Sequence, residues 1–205
     1  MAKIKQTYCT LYIVRHGETN ANLNNIILGH SDSILNETGK LQAKKISQRL
    51  RNIKFDNAFS SDLSRTKETA EIIVLERKLM VETTKVLRER HWGSLEGRPT
   101  KMIDAIEELK NKLSMADRLK YKPIPDAESD EEVASRVLTF LREISVAYLG
   151  KTILVVSHAG VMRILLKHLG KKIPLGAVSN TGYAKLESDG VDFFIKETEG
   201  IKFDE

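Results

Sequence analysis

The chain has 205 residues, enough for one domain with a sizeable core, and its 41% hydrophobic and 30% charged content excludes a disordered or fibrous protein. No apolar run approaches the ~20 residues of a bilayer span, and a single cysteine, Cys9, excludes an internal disulfide. The net charge of +5 is spread among acidic residues, as in "KETAEIIVLERK", and only 6% of residues are aromatic, so neither a nucleic-acid nor a membrane partner is expected.

The opening "MAKIKQTYCT" is positively charged but lacks the apolar stretch of a signal peptide, which makes a cytoplasmic location the expectation. "TLYIV" (10–14) reads as a short buried strand, with Cys9 at its start expected in the core. Residues 36–52 read as a helix capped by Asn36, with Leu41, Ile46 and Leu50 among its apolar positions. "DNAFSS" (56–61) is a second strand, followed at once by a helix over 62–77 and a weaker strand over 81–86. A helical region covers about 99–115, and 129–149 forms the longest helix, with Ser129 and Glu132 spaced as a capping box. "TILVVS" (152–157) is a strongly β-branched strand, and 159–169 a helix stopped by Gly170. Two late strands are expected near 183–187 and 192–196. This alternation predicts an α/β fold, a three-layer Rossmann-like sandwich with a mostly parallel central sheet, formed by a single domain over 1–205.

In such sheets ligands sit beyond the carboxyl ends of the strands. Arg15 and His16 follow the first strand, Arg65 lies in the first turn after the second, and His158 follows the 152–157 strand. Each alone is weak, since a lone His or Arg at such a place is more often a satisfied or solvated residue. Together, two guanidiniums suit a tetrahedral oxyanion, and helix N-termini add N–H donors. A histidine in that basic setting is held neutral and nucleophilic. Zinc on His16, His158 and His91 is disfavoured by the flanking arginines and by the absence of HxxxH or HExxH spacing, so no metal is expected. Phosphoryl transfer from an alkyl ester also needs a proton donor, which Glu89 in "VLRERHWGSLEG" can supply.

Five segments, "LYIVRHGETNAN", "LGHSDSILNETG", "SSDLSRTKETA", "LRERHWGSLEG" and "VVSHAGVMR", stand in the order of a known family. The chain resembles the histidine phosphatase superfamily, in its phosphoglycerate-mutase-like branch. The resemblance implies a phosphohistidine intermediate on His16, with Arg15, Arg65 and His158 neutralising the transferring oxygens and Glu89 as acid and then base. It implies Asn22 as a further phosphate-pocket residue, substrate contacts at Thr19, Gly29 and Ala159, and neither metal nor organic cofactor. His91 and Trp92 follow Glu89 closely enough to line the pocket, with Trp92 equally suited to the core.

Mutases of the family carry a longer region before the late histidine, with an arginine pair and tandem prolines, a Gly-Asn after that histidine, and a lysine where Thr100 stands. Here the region is the short "MADRLKYKPIPDAESDEEV", and Ala159–Gly160 replaces Gly-Asn. The resemblance therefore favours a phosphatase acting on a small phosphorylated metabolite over a mutase, and either over a phosphate-binding regulator. Residues 98–130 are expected to arch over the pocket as a lid, basic through Lys101, Lys112, Arg118, Lys120 and Lys122, although a solvated helix face explains those charges as well. Self-association into a homodimer is left open.

Overall fold

The computed structural model describes residues 7–204; the first six residues of the opening segment, and the final one, lie outside them. Six strands form one sheet in the order β3-β2-β4-β1-β5-β6. β1 (Cys9–Arg15), β2 (Asn57–Ser61), β3 (Val81–Thr84) and β4 (Thr152–Ser157) run parallel, while β5 (Val178–Ser188) and β6 (Phe193–Ile201) add an antiparallel edge. The fold is thus α/β with a mostly parallel sheet flanked by helices.

Alternation along the central strands builds the three layers. Leu11, Ile13, Ile153 and Val155 face one side, where they pack on α6 (Asp130–Ala147) and α7 (Ala159–His168) through Val137, Leu141, Met162 and Leu165. Tyr12, Val14, Leu154 and Val156 face the other, against Ile46 of α2 (Glu37–Arg49) and Ala70 and Ile73 of α3 (Ser64–Val74). β1 and β4 are apolar on both faces because both are covered. Cys9 is fully buried.

Local signals behave as their chemistry dictates. Asn36 caps α2 by accepting from Gly39 N–H, and Ser129 and Glu132 form a reciprocal capping box on α6. One apolar position of α2 faces outward, and two expectations are corrected. Leu41 is 58% exposed, because it stands two residues, about 200° of helix, from Ala43, which with Ile46 faces the core. The helical region expected over 99–115 is α4 (Lys101–Asn111), and a separate helix capped by Ser114, α5 (Met115–Lys120), follows it. The late strands are longer than expected, and Thr181, with φ of 57°, sits where the β5–β6 register shifts. One helical turn, α1 (Asn20–Leu23), was not expected.

Among the described residues, no helix is long and apolar enough to cross a membrane. Of the basic residues of the 98–130 segment, Lys122 pairs with Glu132, and Lys101, Lys112 and Lys120 are solvent-exposed.

Candidate active site

The parallel pairing of β1 with β4 sets Arg15 opposite Ser157, so the residues that follow, His16 and His158, emerge side by side. His16 N–H donates to Ser157 O at 3.0 Å, and the two imidazole centroids are 5.2 Å apart. The chain then turns sharply at Gly17. A Cβ there would stand 2.5 Å from the backbone oxygen of Gly39, so the loop and the start of α2 meet only with glycine.

His16 is 3% exposed, and its Nδ1 lies 2.7 Å from Gly17 O. A carbonyl can only accept, so Nδ1 carries the proton and Nε2 keeps its lone pair. Burial, then the charges of Arg65 and Arg15, push the His16 pKa well below 6.5. His158 is depressed in the same way, by burial first and then by Arg65 and His16. Both rings are therefore neutral at pH 7.

The arginines are held by backbone oxygens. Arg65, 1% exposed, donates to Ser31 O and Gly29 O at 2.9 and 2.8 Å, and Arg15 donates to Val178 O at 2.6 Å. Burial pushes the Arg15 pKa down to about 10, which leaves it charged at neutral pH. Among the described residues, the buried side-chain nitrogens without a protein partner are Nε of Arg15 and Arg65, one terminal nitrogen of Arg90, and both ring nitrogens of His158. Unpaired buried polar groups cost about 1–3 kcal/mol each. An oxyanion bound here would accept from the Nε–H groups of Arg15 and Arg65 and from the one N–H of the neutral His158 ring.

Glu89 arrives from the segment after β3, anchored on both sides. Arg88 makes a two-pronged pair with Asp62 at 2.7 Å, and Arg90 pairs with buried Asp130 at 2.7 Å. The Glu89 carbonyl accepts from Arg136 at 3.0 Å and stands 2.8 Å from His30 Nε2. Its carboxylate accepts the Gly160 N–H at the start of α7 at 3.0 Å.

These groups line a cavity of about 540 Å³. Arg15, His16, Asn22, Gly29, Arg65, Glu89, Trp92 and Ala159, all expected from the sequence, are on its wall, with His158 against His16 behind it. Asn22 Oδ1 accepts the Thr19 N–H, which orients the amide. Trp92 both lines the cavity and packs with Ile27 and Ile106, under the Arg90 guanidinium at 4.4 Å. Thr19 is placed elsewhere: fully buried, it caps α1 and exchanges hydrogen bonds with Asn22. His91 is also off the wall, stacked on His30 and 2.9 Å from Glu96.

Sequence reasoning missed Arg163 and Asn180. Arg163 reaches the cavity from α7 and is paired with Glu107 of α4 at 2.7 Å; Asn180 donates to His16 O at 3.1 Å. Arg163 closes the motif "VVSHAGVMR", one helical turn after Ala159, and that spacing was its available signal. Asn180 had none, being on a strand the pattern did not reach.

Residues 11–198 match the family described as the histidine phosphatase superfamily (branch 1). A phosphoglycerate mutase-like protein of Arabidopsis thaliana is 37% identical over 160 residues, covering 77% of this chain and 70% of that one. A probable phosphatase of Schizosaccharomyces pombe is 34% identical over 163 residues, covering 77% and 72%. A crystal structure of phosphoglycerate mutase from Bacillus anthracis superposes with a TM-score of 0.82 at 30% identity, covering 96% and 94%. Strand-end histidines and arginines on this fold, with a family match over most of the length, place the chain in the histidine phosphatase superfamily.

Proposed function

We propose that the protein hydrolyses a phosphomonoester of a small metabolite through a phosphohistidine on His16, without a metal. The observation that carries this reading is the neutral His16 imidazole, fixed by Gly17 O with Nε2 free, among buried guanidinium and imidazole nitrogens that lack partners. The Nε2 lone pair attacks phosphorus, the ester P–O bond breaks, and Glu89 delivers a proton to the departing oxygen. Water, deprotonated by Glu89, then attacks phosphorus; the P–N bond breaks, phosphate leaves and Nε2 recovers its lone pair. Arg15, Arg65, His158 and Asn22 hold the transferring oxygens, and most of the rate enhancement is charge stabilisation by fixed donors.

A phosphoglycerate mutase is the second reading, favoured by the names of relatives. Against it stand the short region "MADRLKYKPIPDAESDEEV", which lacks the arginine pair, Thr100 in place of the lysine, and Ala159–Gly160. Thr100, Ile103 and Asp104 of the 98–130 segment line the cavity, which supports a role in substrate choice. The discriminating experiment incubates the protein with a panel of phosphomonoesters, with and without EDTA and with bisphosphoglycerate as primer. Metal-independent phosphate release supports the phosphatase. Primer-dependent interconversion of phosphoglycerates without release supports the mutase, and activity lost with EDTA refutes the metal-free route.

Glu89→Gln is expected to slow phosphoenzyme formation from alkyl phosphates, read in a single turnover, by about 10²–10⁴-fold and formation from p-nitrophenyl phosphate far less, because that leaving group needs no proton. Equal losses on both would remove the acid role. Gly160→Ala tests the placement of Glu89, because a Cβ at residue 160 would stand 2.4 Å from Glu89 Oε1. The carboxylate, not the backbone, must give way. The expected result is a fall in kcat on alkyl phosphates of about a hundredfold with thermal stability retained. Unchanged kcat would show that Glu89 need not sit there.

A further inference from the structure

A second cavity, of about 850 Å³, lies between α4, α5, the end of α7 and the 171–175 stretch. Arg163, Ile164 and Leu175 line both cavities, so the two share a wall. Arg163, its partner Glu107 and Asp130, which anchors Arg90, face the second cavity, whereas Arg15, His16, Asn22, Arg65 and Glu89 line the first one alone.

Its lining combines carbon and excess positive charge. Met115, Leu119, Ala134, Ile173 and Pro174 offer apolar surface. Lys110, Arg118, Arg163, Lys167, Lys171 and Lys172 face it, and among the described residues its carboxylates are Glu107, Asp130 and Asp204. Two of those carboxylates are already shared. Glu107 accepts both terminal nitrogens of Arg163, at 3.2 and 2.7 Å, with Lys110 and Lys167 at 3.5 and 3.8 Å. Asp130 serves both Arg90 and Lys110, each at 2.7 Å. Arg118 is steered by the backbone oxygens of Leu113 and Asn111, which orient its guanidinium without neutralising it. Burial, followed by the charges of Arg163 and Lys110 set against those of Glu107 and Asp130, lowers the Lys167 pKa. A concave wall with a surplus of one sign focuses its field on the space it encloses.

We infer that the second cavity binds an organic anion, its carboxylate or phosphate among Lys167, Arg118 and Lys171 and its apolar body on Met115, Leu119 and Ile173. The anion has two sources: the far end of the substrate whose phosphate occupies the first cavity, or a separate ligand. The first source rests on the phosphatase reading; the site itself does not.

The test uses octanoate, an anion with an apolar chain and no phosphoryl group, on the full-length protein with the first cavity saturated by orthovanadate. Calorimetry should show one bound octanoate. Affinity should fall about tenfold or more in R118Q/K167M, as expected when charge-assisted contacts are lost. Turnover of p-nitrophenyl phosphate should stay unchanged. Met115→Glu, at an exposed position outside the ion pairs, should also expel octanoate. Octanoate displaced by vanadate, or bound equally by wild type and all variants, overturns the proposal. Binding needs no turnover, so this test and the phosphatase reading fail separately. Comparing 6-phosphonooxyhexanoate with hexyl phosphate identifies the source. A carboxylate gain in kcat/KM that the double variant loses assigns the site to the substrate, and no gain alongside octanoate binding assigns it to a separate ligand.

Discussion

His16→Ala should lower kcat on p-nitrophenyl phosphate by about 10⁴-fold or more, the scale of loss when a nucleophile is removed and only fixed charge stabilisation remains. The activated ester is the right substrate for this, because its leaving group needs no acid and the measurement isolates the attacking nitrogen. The substitution removes a buried ring that is hydrogen-bonded to Gly17 O and packed on His158, and leaves Arg15 and Arg65 on their own backbone acceptors. Inorganic phosphate should therefore still bind, as calorimetry can show. Turnover within tenfold of wild type would show that another group attacks phosphorus. The neutral state of His16 also predicts a pH profile. Its pKa is well below 6.5, so activity should not decline as pH falls through 6.5, unlike that of an enzyme with an unperturbed histidine nucleophile.

Glu107→Leu should destabilise the protein by about 3–5 kcal/mol, the cost of leaving a buried charge cluster without one partner. Glu107 joins α4 to α7 through Arg163 and stands near Lys110 and Lys167. Burial alone would raise its pKa, but the Arg163 hydrogen bonds and the nearby lysines outweigh this and hold it at about 2, against an ordinary 4.5. Between those values the unfolded chain binds a proton that the folded one refuses. The stabilisation is complete above about 4.5 and is lost as pH falls towards 2. His16 and His158 add a separate loss beginning below 6.5, where the unfolded histidines charge and the folded ones do not. Urea unfolding should show the difference between wild type and Glu107→Leu at pH 7 and shrinking below 4.5. A difference under about 1 kcal/mol at pH 7 would mean that the network does not hold α4 in place.

Local chemistry was readable where it decides local structure. The β-branched run 152–157 is β4 with the same bounds, Ser129 and Glu132 cap α6, and Gly170 has the φ of 80° that a helix stop requires. Strand–helix alternation and the strand-end rule brought Arg15, His16, Arg65, Glu89 and Ala159 to one cavity, beside His158. Thr19 illustrates the limit: its side chain could face substrate or cap a helix, and the three-residue spacing to Asn22 committed it to the cap. His91 is carried off the wall because Gly93, with φ of 56°, turns the chain and Glu96 captures the ring. The cluster of Glu107, Lys110, Asp130 and Arg163 was illegible because its members meet across three helices. The antiparallel edge was underestimated because 178–182, with Ser, Asn, Thr and Gly, has no strand pattern of its own.

The central claim, a phosphoryl group carried by His16 and passed to water, is tested by mixing the protein with a labelled phosphomonoester and quenching in alkali during turnover. The account predicts a base-stable, acid-labile phosphoryl group on the peptide containing His16, absent from His16→Ala, that decays into inorganic phosphate when substrate is removed. A phosphoryl group on another residue, or turnover with no labelled protein, would contradict it.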